Sequence, residues 1–323
     1  MSGTDYTYAV ARVRAKEVSL LSDAIIEQLM ACKDYKSCMA FLREHGWGNG
    51  NPEETDDEML KYEREKAWKE VKELVQDESV FSVLTIQNEY HNLKAAIKQV
   101  CSDDKATHAF YDNCKWSPDE LKSMVERKDF SQLPDKMAQT ALEATDALLQ
   151  TEDGQLCDII IDRATLEAVK EEGEKSKSEL IRQYANEIVV VSDIRIAVRC
   201  AKTKKSKDFI ERAIVPCDTI NVSAIIKSAQ AGVDSVCSYL ETAGYGEAAE
   251  HIKESASSFE RWCDNRIIEK ISSQKYNSFS EGPVLAYIIA RENEIKTVRI
   301  ILTGKINNLS DDFIRERLRK MYV

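Results

Sequence analysis

Apolar residues recur at intervals of three and four along most of this chain, the spacing that lays side chains on one face of an α-helix. After Ser19, the residues Leu20, Leu21, Ala24, Ile25, Gln28 and Leu29 form one such stripe. A second helix is expected over about Asp34 to Arg43, with Gly46 placed as the glycine that follows a helix C-cap. Pro52-Glu-Glu supplies helix-start chemistry for a third, running to about Gln76 with Leu60, Ala67, Trp68, Val71, Leu74 and Val75 inward. Its glutamate-rich face is expected in water. Tyr6 to Glu17 is less decided, because Tyr8, Val10 and Val13 alternate with Arg12, Arg14 and Lys16 in a way that suits an extended segment or a helix entry.

The pattern continues through Phe81 to Val100, with Leu93, Ile97 and Val100 on one face and Lys94 and Lys98 on another. Ser117-Pro118-Asp-Glu120 reads as a capping box with proline at the first helical position. Helical periodicity then resumes from Pro134 to Gln150, from about Gly154 to Lys170 and from Lys177 to about Ala201. Ile159-Ile-Ile161 and Val189-Val-Val191 are β-branched, but each lies in a helix-length segment without flanking glycine or proline and is assigned to helix. Further helices are expected over Glu247 to Ser272, Gly282 to Gly304 and Asp311 to Val323, the last docked by Phe313, Ile314, Leu318 and Met321. The fold class is all-α.

Parts of this pattern repeat. Ser192 to Arg212 aligns without a gap on Lys296 to Glu316, matching Arg195 with Arg299 and Ser206-x-Asp-Phe-Ile210 with Ser310-x-Asp-Phe-Ile314, at a constant offset of 104 residues. A fainter copy, Asn92-Leu-Lys-Ala-Ala-Ile-Lys98, lies 101 residues before Asp193-Ile-Arg-Ile-Ala-Val-Arg199. Leu42-x-x-x-Gly46-Trp47 is echoed by Leu240-x-x-x-Gly244-Tyr245. Shared helical periodicity alone also generates likeness between amphipathic helices. A period near 100 exceeds the roughly 20–50 residues of solenoid repeats, so it suggests three similar helical domains, divided at 1–110, 111–213 and 214–323.

Composition narrows the function classes. The chain has 323 residues, enough for three cores, and its five prolines and eleven glycines are few for the turns a sheet protein needs. A formal charge of −11 disfavours nucleic acid and anionic membrane surfaces as partners. No apolar run reaches the roughly 18 residues of a membrane span, and Met1-Ser-Gly-Thr-Asp-Tyr lacks the basic and apolar parts of a signal peptide, so a soluble, cytoplasmic protein is expected. Nine cysteines without a C-x-x-C pair read as buried, reduced thiols.

Catalytic chemistry is hard to find. His45, His91, His108 and His251 have no metal-ligand spacing, and the chain contains no H-E-x-x-H and no G-x-S-x-G. Gly46-Trp-Gly-Asn-Gly-Asn-Pro52 lacks the preceding strand of a dinucleotide loop and its glycine three residues beyond the second, and Gly304-Lys305 lacks the glycine of a phosphate loop five residues earlier. No catalytic residue, cofactor or metal is expected, although abundant surface carboxylates leave a helical enzyme with an acidic site as a minor alternative. The basic run Lys202-Thr-Lys-Lys-Ser-Lys207 is either a solvated turn or a contact for an acidic partner.

The C-terminal stretch Tyr287-Ile-Ile-Ala-Arg-Glu-Asn-Glu-Ile-Lys-x-x-Arg299, followed by Gly304-Lys305, Ile314-Arg-Glu-Arg-Leu-Arg319 and Tyr322-Val323, resembles the C subunits of the archaeal and bacterial V-type (A-type) rotary ATPases, whose eukaryotic counterpart is the d subunit. Tyr8-Ala-x-Ala-Arg-x-Arg14 adds to the likeness, while the middle third matches in pattern more than in letters. The resemblance implies a funnel of three helical domains about a pseudo-threefold axis, standing on the cytoplasmic face of the membrane rotor ring and receiving the end of the central shaft. It implies a non-catalytic part that joins shaft to ring, with subunits of both as partners and no transmembrane segment of its own. The family motif names no contact residues. Lys94, Arg195 and Arg299 occupy equivalent repeat positions and suit either a partner contact or a local pairing with carboxylates. The alternative function is a helical adaptor or scaffold that binds another protein.

Overall fold

Residues 6–75, 77–102, 110–112, 114–151 and 153–323 are described by the computed structural model; they hold sixteen α-helices and no strand. In chain order these are α1 (Tyr6–Glu17), α2 (Asp23–Met30), α3 (Tyr35–Glu44), α4 (Asp56–Lys72), α5 (Ser82–Cys101), α6 (Pro118–Arg127), α7 (Asp135–Thr151) and α8 (Gly154–Lys175). There follow α9 (Glu179–Thr203), α10 (Lys207–Ala213), α11 (Val222–Ala231), α12 (Val233–Thr242), α13 (Gly246–Glu254), α14 (Ala256–Ser272), α15 (Gly282–Ile306) and α16 (Asp311–Arg315). They fall into two compact units, unit 1 of Met1–Val80 with Glu250–Val323, and unit 2 of Phe81–Ala249.

Local chemistry explains the helix ends. Ser117 accepts from the Glu120 backbone N–H while the Glu120 carboxylate accepts from Ser117, the reciprocal cap that the sequence signals. Asp34 caps α3 by accepting from the Ser37 N–H at 2.9 Å. At the far end of α3, Gly46 takes φ +81° and the Trp47 N–H returns to the Leu42 carbonyl at 3.0 Å. The echo of that segment has the same geometry, with Gly244 at φ +86° and the Tyr245 N–H on Leu240 at 2.8 Å. The Ser206 and Ser310 copies also coincide locally. Each follows a left-handed residue, Lys204 or Asn308, each serine caps a short helix, and each buries its isoleucine, Ile210 or Ile314.

Of the two readings open for Tyr6–Glu17, the segment takes the helical one. Other expectations need correction. The Ser19 stripe begins its helix only at Asp23, because Ser22 is the N-cap; the buried face therefore carries Ile26, Leu29 and Met30, while Ala24 and Gln28 are exposed. Helix α4 starts not at Pro52 but after Thr55, whose capping box with Glu58 sets the boundary, and it ends at Lys72; Gln76 lies outside the described residues. The segment from Glu247 to Ser272 is two helices, because the Ser255 side chain breaks it by capping Ser258. The C-terminal helix stops at Arg315. Beyond it the Asn265 side chain accepts from the Lys320 N–H, Asp23 accepts from the Met321 N–H and Asn293 donates to the Lys320 carbonyl, so side chains take the backbone groups that a helix would have used. Ile314, Met321 and Tyr322 are buried there, while Phe313 is exposed.

Each long helix packs against shorter ones. In unit 1 a core cluster joins Leu21, Leu29, Leu42 and Leu60 from the first sixty residues to Ile295, Val298 and Ile301 of α15, so the two chain ends share one interior. In unit 2, Leu93 and Ile97 of α5 pack with Leu121, Met137 and Ile161 of α6, α7 and α8. Helix α9 contacts α8, α11 and α12, with Val189 packed on Leu166 and Val215. The α8 to α9 turn depends on Gly173, where a Cβ would lie 2.4 Å from that of Ala185. The β-branched triplets are helical, with Ile159, Ile161 and all three valines buried.

Candidate functional site

A connected buried polar arrangement lies in unit 1, on the stretch that carries the family resemblance. Helix α15 is apolar on all sides over Val284–Ala290, as a helix enclosed by protein must be. A charge in such a helix needs partners inside the protein. Arg291 has two: one guanidinium nitrogen donates to Glu294 Oε2 at 2.7 Å and the other to Glu63 Oε2 on α4. Both carboxylates are 0% exposed and reach further. Glu294 Oε1 accepts from the Leu21 N–H at 2.7 Å, and Glu63 Oε1 accepts from the Gly48 N–H at 2.9 Å. The guanidinium also sits 4.9 Å from the centre of the Trp47 ring.

Electrostatics follow from this burial. Burial raises the Glu294 pKa, and the Arg291 charge only partly opposes that. Burial works against the Arg291 charge, but Glu294 and Glu63 outweigh it and hold the group above its ordinary value. Beside this triad Glu292 accepts from Arg64 Nε at 2.9 Å and from Trp68 Nε1 at 3.3 Å, tying α15 to α4 a second time. The glutamate-rich face to which Glu63 belongs is expected in water, yet Glu63 lies in the core, as does Glu294, while Lys296 and Arg299 of α15 are exposed.

Several residues that carry the resemblance are joints as well. Gly304 leaves room for Ile314, whose side chain would be 2.5 Å from an added Cβ. Lys305 donates to the Met30 carbonyl at 2.8 Å, Arg319 to Asp264 at 2.5 Å, and Arg14 of α1 to the carbonyls of Gln274 and Asn277 at 2.5 and 2.8 Å. Tyr287 and Tyr322 are buried.

A second set of joints follows the repeat. Asn92 on α5 accepts from the Tyr111 N–H and donates to its carbonyl, both at 2.8 Å. Asp193, its counterpart on α9, accepts from the Val215 N–H at 3.1 Å. Asn293, one turn before the corresponding Thr297 of α15, donates to the Lys320 carbonyl at 3.0 Å. Each long helix thus clamps the backbone of the segment that returns past it. In Asp193 the second carboxylate oxygen has no hydrogen-bond partner among the described residues, and burial raises its pKa to about 7 against the opposing Val215 N–H and Arg163 charge.

The three repeat positions have separate surroundings. Lys94 Nζ pairs with Asp162 of α8 at 2.5 Å, and Arg299 pairs with Asp57 of α4 at 2.6 Å. Arg195 lines a cavity of about 220 Å³ that Asp162 also lines. Lys94 and Arg195 therefore lie in unit 2, where the carboxylate that pairs with Lys94 lines the same cavity as Arg195, and Arg299 belongs to unit 1. Unit 1 also exposes apolar side chains at both ends of α15, Tyr276 and Phe279 before it and Ile306, Leu309 and Phe313 after it.

Groups of reactive type are held in unreactive settings. Burial pushes the Cys38 thiol to about 12 and the Cys157 thiol to about 11, which keeps both protonated. Ser258 lies 2.6 Å from His251 Nδ1, but its hydroxyl donates to Glu254 at 2.5 Å and the serine is fully buried, the reverse of a nucleophile presented to substrate. His108 lies outside the described residues. Among the described residues no group of three or more His, Cys, Asp or Glu side chains could hold a metal, and no helix is long and apolar enough to cross a membrane.

What sequence reasoning missed is the pair of buried glutamates. The signal was present on α15, where Arg291 and Glu294 stand three residues apart in an otherwise apolar run.

Known proteins resemble this chain over nearly its whole length. The family described as ATP synthase (C/AC39) subunit matches residues 9–317. The C subunit of the V-type sodium ATPase of Enterococcus hirae is 22% identical over 317 residues, covering 96% of this chain and 97% of that protein. The C subunit of the A-type ATP synthase of Methanocaldococcus jannaschii is 23% identical over 347 residues, covering 97% of this chain and 86% of its own length.

Proposed function

The chain belongs to the ATP synthase (C/AC39) subunit family, and we propose that it is the non-catalytic central-stalk subunit of a V/A-type rotary ATPase, joining the shaft of the nucleotide-processing head to the ion-carrying ring. The observation that carries this reading is the family match across residues 9–317.

A coupling part must transmit torque without yielding. Each elementary charge crossing 100 mV delivers about 2.3 kcal/mol to the rotor, which a loosely packed part would dissipate in its own deformation. Close-packed helices resist such strain. The Glu63–Arg291–Glu294 triad and the clamps from Asn92, Asp193 and Asn293 suit that demand, since the triad ties α15 to α4 across 228 residues and the clamps hold long helices to the backbone that follows them.

The three-part repeat at 1–110, 111–213 and 214–323 and a funnel shape belong to the same proposal. The matched clamps and the matched ends of α9 and α15 support the repeat. In it, each long helix buries its apolar face on the short helices of the next part, and α15 closes the series on α2, α3 and α4. The protein would stand on the cytoplasmic face of the membrane, its apolar ends meeting the shaft and the ring.

Affinity purification of the tagged chain from its native membranes tests the assignment. Head, shaft and ring subunits are expected to accompany it in fixed ratio; their absence under conditions that keep the complex intact would overturn the proposal.

A further inference from the structure

The basic run after α9 does not stand alone. Two cavities, of about 110 and 220 Å³, adjoin along the seam of α8 and α9 in unit 2, sharing Asp162, Ile196 and Arg199 among their lining residues. Ile159, Leu166, Phe209 and Ala213 add apolar lining, so the floor is largely hydrocarbon. The rim is charged. Arg195 and Arg199 stand one turn apart on α9, Lys205 lies at the end of the seam, and Lys202 continues the same helical face. On the α8 side Asp158 and Asp162 are already engaged, by Lys98 at 2.7 Å and Lys94 at 2.5 Å. Basic side chains therefore outnumber acidic ones along a seam that belongs to a chain of net charge −11.

We propose that this groove seats an acidic amphipathic helix of a neighbouring subunit, its apolar stripe on the Ile159–Ile196–Phe209 floor and its carboxylates facing Arg195, Arg199 and Lys205. The proposal rests on the rotary-subunit reading for the identity of the neighbour, and on the groove for its chemistry. From Arg195 to Thr203, the last residue of α9, the seam extends about 12 Å at 1.5 Å per residue, which matches roughly two turns of a helix. Carboxylates four residues apart on that helix would meet Arg195 and Arg199 in register. An apolar floor fits a protein helix better than a nucleic acid, whose binding is governed by phosphate charge and is opposed by the overall charge of this chain. The contact would favour fast, salt-sensitive association.

The test uses the full chain added back to membranes from cells that lack it. Arg199→Glu with Lys205→Glu is expected to weaken retention at least tenfold, whereas Lys227→Glu, an exposed reversal on α11, leaves it unchanged. Circular dichroism checks that both variants fold. A photo-crosslinker at Lys202 is expected to capture an acidic helical segment of one partner subunit. Equal retention of the double reversal, or crosslinks confined to lipid, nucleic acid or a basic segment, would overturn the groove while leaving the family-based assignment intact. If the unaltered chain is itself not retained with rotary subunits, the assignment fails and the groove proposal with it.

Discussion

Replacing Arg291 with methionine is expected to destabilise unit 1 by about 3–5 kcal/mol, the range for breaking a buried ion pair by removing one partner. The side chain is 5% exposed and the two carboxylates it serves are 0% exposed, so its removal strands negative charge in the interior. Among the described residues Lys66, at 3.5 Å from Glu63, is the remaining cation at hydrogen-bond distance from that carboxylate, and it is partly solvated. Neutralising the acids should reverse most of the loss. The triple variant Glu63→Gln, Arg291→Met, Glu294→Gln is expected to recover at least half of the stability, because the strongest cost is the unpaired charge and not the absent attraction. Denaturant unfolding followed through Trp47 and Trp68 fluorescence reads both effects in unit 1. A single-variant loss under about 1 kcal/mol, the value of an exposed pair, would show that the triad does not hold unit 1 together.

Asp193→Asn is expected to act in the opposite direction, by an amount that grows as pH rises from about 4 to about 7 and is complete above that. The folded pKa of Asp193 is raised, to about 7 from an ordinary value of 3.8. A raised pKa means that the favourable protonated form is fully present below the ordinary value and is lost as pH rises through about 7. Above that pH the unaltered protein must bury an anion whose second oxygen has no hydrogen-bond partner among the described residues. Asparagine keeps an oxygen for the Val215 N–H and carries no charge. At about 1.4 kcal/mol per pKa unit, the variant should be more stable by a few kcal/mol at pH 8 and by little at pH 4. Urea unfolding of unit 2, followed through Trp116, measures the difference. A variant less stable at pH 8, or a difference independent of pH, would contradict the assignment of this cost to Asp193.

These two residues also mark where the sequence stops being legible. Helix positions are readable because their causes are local: Ser117 and Glu120 cap each other three residues apart, and Gly46 ends the helix it follows. Even the β-branched triplets are assigned correctly from segment length and the absence of flanking glycine or proline. The burial of Glu63 has a distant cause, since its partner Arg291 is 228 residues away. On α4 alone Glu63 is one more glutamate among many. The chain end departs from its expected helix for a related reason, because Asn265, Asp23 and Asn293 take its backbone groups from positions that periodicity cannot connect to it. The family resemblance is readable at residues that form joints of unit 1, Arg291, Glu294, Gly304 and Lys305, while the middle third resembles the family in pattern more than in letters.

A stiff connector is a mechanical part, and its consequence is coupling. ATP-driven ion uptake should therefore be measured in membrane vesicles from cells lacking this chain, with ATP hydrolysis followed in the same vesicles and proton and sodium uptake read separately. Hydrolysis by the head is expected to persist while uptake of the coupled ion is lost, and adding back the purified chain is expected to restore uptake. Ion uptake that continues at its normal ratio to hydrolysis without the chain would contradict a central-stalk role.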